Sequence, residues 1–330
     1  MVKDERMEQA ESISVRPTWR QRVRHGDLLF WLLTLAFAAV VIVLVVLLGI
    51  VTWAGSAEAR ATFGLGFLWQ ADWDPVNGQF GALPAIFGTL VSSAVALLIA
   101  GPLGVMIGVF LSELCPPALK QPLSFMVELL AAIPSVIYGM WGVLILAPFF
   151  RDYIAEPVAG SIGTLLPWLG GNVASGRGIM IAGVVLAIMI LPTIAAISRD
   201  VVAVVPDHQR EAMLSVGATR WEMITIAVLP YSSAGIIGAM MLGLGRALGE
   251  TMAALMVIGS FKQAVPGSLF EPGISAAALV ASELPNTNNS LHESTLILIA
   301  LVLFGITLLL NTLARLLVWQ VARGPQGARL

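Results

Sequence analysis

Six stretches of this sequence, residues 28–53, 86–111, 127–150, 179–197, 236–258 and 296–319, are each long, apolar and almost free of charge. About 20 apolar residues are what an α-helix needs to cross the hydrocarbon core of a bilayer, where every backbone N–H and C=O must find its partner inside the chain. The expectation is an all-α, polytopic transmembrane bundle of about six spans. Composition agrees, with 58% of residues apolar and 12% charged, against roughly a quarter charged in soluble proteins. The first 27 residues are polar and carry six basic side chains, and the charge-free stretch of 30 residues that follows is far longer than a signal-peptide core. Residues 1–27 are therefore expected to form a tail and residues 28–330 the membrane domain.

Lys and Arg are unevenly distributed between the loops. Counted by side, thirteen fall with the termini and only Arg60, Arg151, Arg177 and Lys262 fall opposite, which by the positive-inside rule places both termini in the cytoplasm. On the other side, residues 54–85 are rich in Trp, Phe, Gly and Asp, and Trp69, Trp73 and Phe80 are expected at headgroup level. The apolar piece 162–169 is too short to cross and suits an interfacial or partly re-entrant path.

Several classes of chemistry find no support. The net charge of −2 comes with no basic block dense enough for nucleic acid. The single Cys115 cannot form a disulfide within the chain, and His25, His208 and His292 lie too far apart to suggest a metal site. No Gly-x-x-x-x-Gly-Lys-Ser/Thr loop occurs, so the chain lacks the usual nucleotide cradle. An integral membrane enzyme would need a nucleophile beside its acid or base, and no His, Cys or Ser stands at that spacing from Glu250 or Glu128. Glu128 itself reads as an interfacial carboxylate.

Small residues recur four apart at Gly104 and Gly108, at Gly235, Ala239 and Gly243, and at Gly245 and Gly249. Such faces allow close helix approach, either within the bundle or against a second membrane subunit. Pro102 and Pro134 fall inside apolar runs, where neighbours must satisfy the carbonyls they free.

The loop 198–230 is the most polar internal segment, and its punctuation is that of two short helices. Pro206 suits a helix start and Gly217 the left-handed residue after a helix end, while Thr219 with Glu222 makes a capping box. Within the fifth apolar run, Arg246 and Glu250 stand four apart, which on a continuous helix places them on one face. At mid-membrane each costs about 2.5–3.5 kcal/mol, whereas the eight Leu, Ile and Val residues of that run return about 2.4–4.8 kcal/mol. The two charges are thus expected to face a partner, a cavity or a substrate. A guanidinium in a desolvated path suits an oxyanion, since it offers a fork of donors and keeps its charge.

In the loop, Glu211, Ala212, Gly217, Leu229 and Pro230 fall at the spacing of the motif that marks ATP-binding-cassette importer permeases. Met213 and Ala227 depart from it, standing where the family prefers Ala and Ile. The segments Gly243-Leu-Gly-Arg-Ala-Leu-Gly-Glu-Thr251 and Ile133-Pro-Ser-Val-Ile-Tyr-Gly-Met-Trp-Gly142 resemble the C-type permease subunits of phosphate-specific importers. The resemblance implies a type I importer permease fold in a bacterial inner membrane, with the loop 198–230 inserted into a cytoplasmic ATPase. It implies as partners an A-type permease, two copies of that ATPase carrying ATP and Mg, and an extracytoplasmic phosphate-binding protein. It associates Arg246 and Glu250 with the phosphate path and makes the chain a transport subunit without catalysis of its own. Another oxyanion such as sulfate or molybdate, or a membrane component acting mainly in phosphate sensing, are the alternatives.

Overall fold

The computed structural model describes residues 27–322 apart from 162, 164, 172, 263 and 288. Of the expected tail, residues 1–26 therefore lie outside the described residues, and the piece 162–169 is described only in part, with a 3-10 turn at Pro167–Leu169. The chain divides into two compact units, Met1–Ala54 and Gly55–Leu330. The first holds α1 (Asp27–Gly55), whose stretch Leu28–Gly55 has a mean hydropathy of 3.1. At 1.5 Å per residue α1 reaches about 43 Å, ample for one crossing.

The second unit begins with α2 (Ala57–Phe63) and a small hairpin, β1 (Trp73–Asp74) against β2 (Gln79–Phe80), antiparallel with Trp73 opposite Phe80. The hairpin turn is held by the Asp74 carboxylate, which accepts from the Val76 and Asn77 amides at 2.9 and 3.2 Å. Trp69 is exposed, whereas Trp73 and Phe80 are buried within the chain. They pack edge to face at 5.0 Å in a buried cluster with Phe67, Ile274 and Leu279.

α3 (Leu83–Val109) is prolonged by a π-helical turn at Phe110–Leu114, and α4 (Pro117–Ala132) follows. The run 127–150, expected as one span, is broken: α4 meets α5 (Ser135–Gly160) at 86°. Pro134 has no N–H to continue the ladder and disfavours helical backbone at the residue before it, so Ile133 sits at φ −66°, ψ 129°.

α6 (Ile179–Ala203) is the central helix, with Ile179, Ile190, Ile194 and Val202 fully buried. It has α3 on one side, where a Cβ on Gly104 would meet Ile194 at 2.8 Å and one on Gly108 would meet Ser198 at 2.7 Å. On another side α6 meets α8, described below. After α7 (Asp207–Ser215), α8 runs over Arg220–Leu248 and α9 over Met252–Ile258, so the run 236–258 is not one helix either. Two glycines, Gly245 and Gly249, weaken the helix at this point, and Gly249 ends it. α10 (Ala276–Glu283) and α11 (Ser290–Ala322) complete the chain. Among the described residues five helices are long and apolar enough to cross a membrane, or six if the bent pair is one span.

The small residues now divide. Gly235 would meet Val201 at 2.4 Å and Gly243 would meet Ile194 at 2.8 Å, while Ala239 is fully buried, so this face of α8 packs inside the chain against α6. Gly238 and Gly245 have nothing within 4 Å, and Leu242 beside them is 61% exposed.

Candidate functional site

Arg246 lies in the last turn of α8, where the close packing of Gly235, Ala239 and Gly243 on α6 brings the two backbones together. Its Nη1 donates to Thr193 Oγ1 on α6 at 3.1 Å. No carboxylate lies within 4.0 Å of Arg246 among the described residues. Tyr138, in the first turns of α5, donates its hydroxyl to Leu130 O at 2.8 Å.

Glu250 is not on the helical face of Arg246. α8 has stopped at Leu248, and the Glu250 carboxylate instead accepts from the Ala253 amide at 3.3 Å, at the start of α9. The spacing of four had implied one continuous helix, and the break after Gly249 removes that premise. α9 in turn packs on α5, where a Cβ on Gly139 would meet Ala253 Cα at 2.9 Å. Arg246 and Glu250 thus lie on either side of the break between α8 and α9 and form no ion pair.

Thr193 and Tyr138 were not singled out from the sequence. The signal for Thr193 is faint: a hydroxyl directly after Pro192 in an otherwise apolar run. Tyr138 stands four residues after the proline that breaks the helix.

The loop has the punctuation read from its residues. Pro206 precedes α7, Gly217 has φ +84°, and Thr219 and Glu222 form the reciprocal capping box. The second helix is not short, because it continues through a π-helical turn at Met223–Val228 into the body of α8. Pro230, two residues beyond that turn, lacks the N–H that a regular helix would use there. Glu211, Ala212, Gly217 and Pro230 are exposed, while Leu229 is half-buried against Val202, Ile224 and Val228. Met213 packs on the same cluster, so its extra length over alanine is taken up inside. The outer face of the loop carries Val216 and Trp221, 79% and 70% exposed, next to Leu214.

Arg210 anchors the loop. Its guanidinium donates to both carboxylate oxygens of Glu113 and to the carbonyls of Val202 and Val205. Glu113, in the π-helical turn that ends α3, was missed in the sequence, although a carboxylate closing an apolar run is a visible signal. Arg199, at the end of α6, pairs with Glu128 of α4 at 3.1 Å, giving that carboxylate a partner within the chain.

A model of the family described as binding-protein-dependent transport system inner membrane component matches residues 100–323. The phosphate transport system permease protein PstC of Mesorhizobium japonicum is 43% identical over 311 residues, covering 93% of this chain and 94% of that protein. The protein of the same name from Pasteurella multocida is 42% identical over 299 residues, covering 90% and 93%. Among solved structures, a chain of the MetNI methionine ABC transporter in inward facing conformations aligns with a TM-score of 0.52 at 20% identity, over 75% of this chain and 96% of that one. That likeness concerns the fold.

Proposed function

The chain belongs to the family of binding-protein-dependent transport system inner membrane components and, within it, to the PstC permeases, and on that footing we propose that Arg246 and Glu250 line the path by which phosphate crosses. The chain is a membrane subunit of an ATP-driven importer, and it leaves ATP hydrolysis to a separate protein. The observation that carries the assignment of the path is the guanidinium of Arg246, set inside the spanning bundle against a neutral hydroxyl and away from any described carboxylate. A cation so placed is costly in lipid and favourable beside an anion.

Glu250 would repel that anion, so its part is to shape the break between α8 and α9 and to answer a basic group on the neighbouring permease. That neighbour is an A-type phosphate permease, and the face of α8 left open at Gly238, Leu242 and Gly245 suits close approach of its helices. Two copies of a cytoplasmic ATPase, holding ATP and Mg, complete the cytoplasmic side. Residues Glu211, Ala212, Gly217, Leu229 and Pro230 form the coupling element, with Val216 and Trp221 as its apolar contacts. Extracytoplasmic phosphate-binding protein delivers the anion. Both termini lie in the cytoplasm of a bacterial cell and the chain in its inner membrane, in keeping with the distribution of Lys and Arg.

The test is ATP hydrolysis by the complex of these four kinds of subunit, comparing phosphate, sulfate and molybdate. Stimulation by phosphate alone, abolished by Arg246→Ala in an assembled complex, is the expected result. Normal import by both Arg246→Ala and Glu250→Gln complexes would remove these residues from the path, and stimulation by another oxyanion would change the substrate.

A further inference from the structure

We infer that Thr193 is the second member of the anion site at Arg246, presenting its hydroxyl proton to the oxyanion while its oxygen holds the guanidinium; this rests on the reading of Arg246 given above. The observation lies in what Thr193 does not do. Inside a helix, threonine usually donates its hydroxyl to the carbonyl one turn back. Thr34, Thr52, Thr62, Thr89, Thr225, Thr295, Thr307 and Thr312 all do so, at 2.7 to 2.9 Å. Thr193, in the middle of α6, has no such bond among the described residues, and its oxygen accepts from Arg246 Nη1 instead.

A guanidinium has only donors, so in this contact the threonine can only be the acceptor. Its own proton is left over, and it stands beside the positive charge. That is the arrangement an oxyanion requires: one charged donor and one neutral donor converging on adjacent oxygens, with the neutral group also fixing the direction of the fork. The adjoining Pro192 keeps the residue on a helix already stripped of one backbone N–H. The close approach of α8 at Gly243, where a Cβ would meet Ile194 at 2.8 Å, sets the separation of the two side chains.

The test uses the assembled importer in vesicles and measures phosphate uptake against phosphate concentration. Thr193→Val keeps the shape and removes the hydroxyl; the maximal rate should fall about tenfold, the scale of one hydrogen bond to a charged group. Half-saturation, set by capture on a separate binding protein, should stay unchanged. Thr193→Ser should stay within about twofold of the parent, because its hydroxyl can reach both partners. Normal uptake by Thr193→Val, or a fall as large in Thr193→Ser, overturns the inference while leaving Arg246 on the path. Normal uptake by Arg246→Ala overturns the underlying reading and this one with it. If Thr193→Val fails to assemble, Thr193→Cys, close in size and a poor hydrogen-bond former, takes its place with the same criteria.

Discussion

The guanidinium of Arg210 grips the carboxylate of Glu113 through two bonds, Nη2 to Oε1 at 2.7 Å and Nε to Oε2 at 3.2 Å, across 97 residues of sequence. Glu113 has 7% of its side chain exposed and Arg210 16%, so the pair is largely out of solvent. It ties the loop helix α7 to the end of α3, one of the helices packed on the central α6.

Breaking that pair from one side leaves a buried charge without its partner. Arg210→Ala is expected to cost about 3–5 kcal/mol, read as a lowered thermal unfolding midpoint of the purified chain. Arg210→Met with Glu113→Leu, which removes both charges, should lose much less. Equal losses in the two variants would show that the ion pair is not what holds α7 in place.

Gly217 holds φ +84° with nothing within 4 Å of a Cβ placed on it. Gly217→Val therefore meets conformational strain alone, about 1–2 kcal/mol, and should leave the spans folded while distorting the turn between α7 and α8. ATPase binding, measured by co-purification, should weaken with little change in unfolding temperature.

The apolar outer face of the loop makes a complementary case. Trp221→Asp alters a side chain that is 70% exposed. The chain should remain as stable as before and lose the ATPase in the same co-purification.

Two glycines on different faces should respond differently. A Cβ on Gly108 would meet the Arg199 amide nitrogen at 2.8 Å and the Ala195 carbonyl at 2.9 Å, both backbone, so Gly108→Ala must push α3 off α6 and destabilise the isolated chain. Gly245→Ala has open space and should be neutral or stabilising there, by up to about 1 kcal/mol of helix propensity. Gly245→Leu should instead lower the yield of the two-permease complex.

A pH effect is expected at Glu283. Burial pushes its carboxyl up, but hydrogen bonds from Lys262, His292 and Trp73 together outweigh burial and hold it below the ordinary value of 4.5. A depressed folded-state value means that the stabilisation is complete above pH 4.5 and is lost as pH falls through the lower folded value. The unfolding midpoint should drop over that acid range, and Glu283→Gln should flatten this part of the profile.

The kind of protein and the rough location of its spans were legible in the residues, because lipid accepts only long apolar helices and no distant contact can replace that requirement. The loop was legible for a similar reason. Capping by Thr219 and Glu222 and the left-handed turn at Gly217 are interactions over three or four residues, set locally by the side chains themselves. Where the helices break was less legible. Pro134 and the glycines at 245 and 249 are visible in the sequence, but each is also compatible with an unbroken span when neighbours satisfy the freed groups. What only the tertiary structure decided is which side chains meet: Arg246 with Thr193 rather than Glu250, Arg210 with Glu113, and Trp73 and Phe80 with the core rather than the headgroups. Those contacts depend on where helices cross and how closely small residues let them approach, and neither periodicity nor spacing along the chain carries that information.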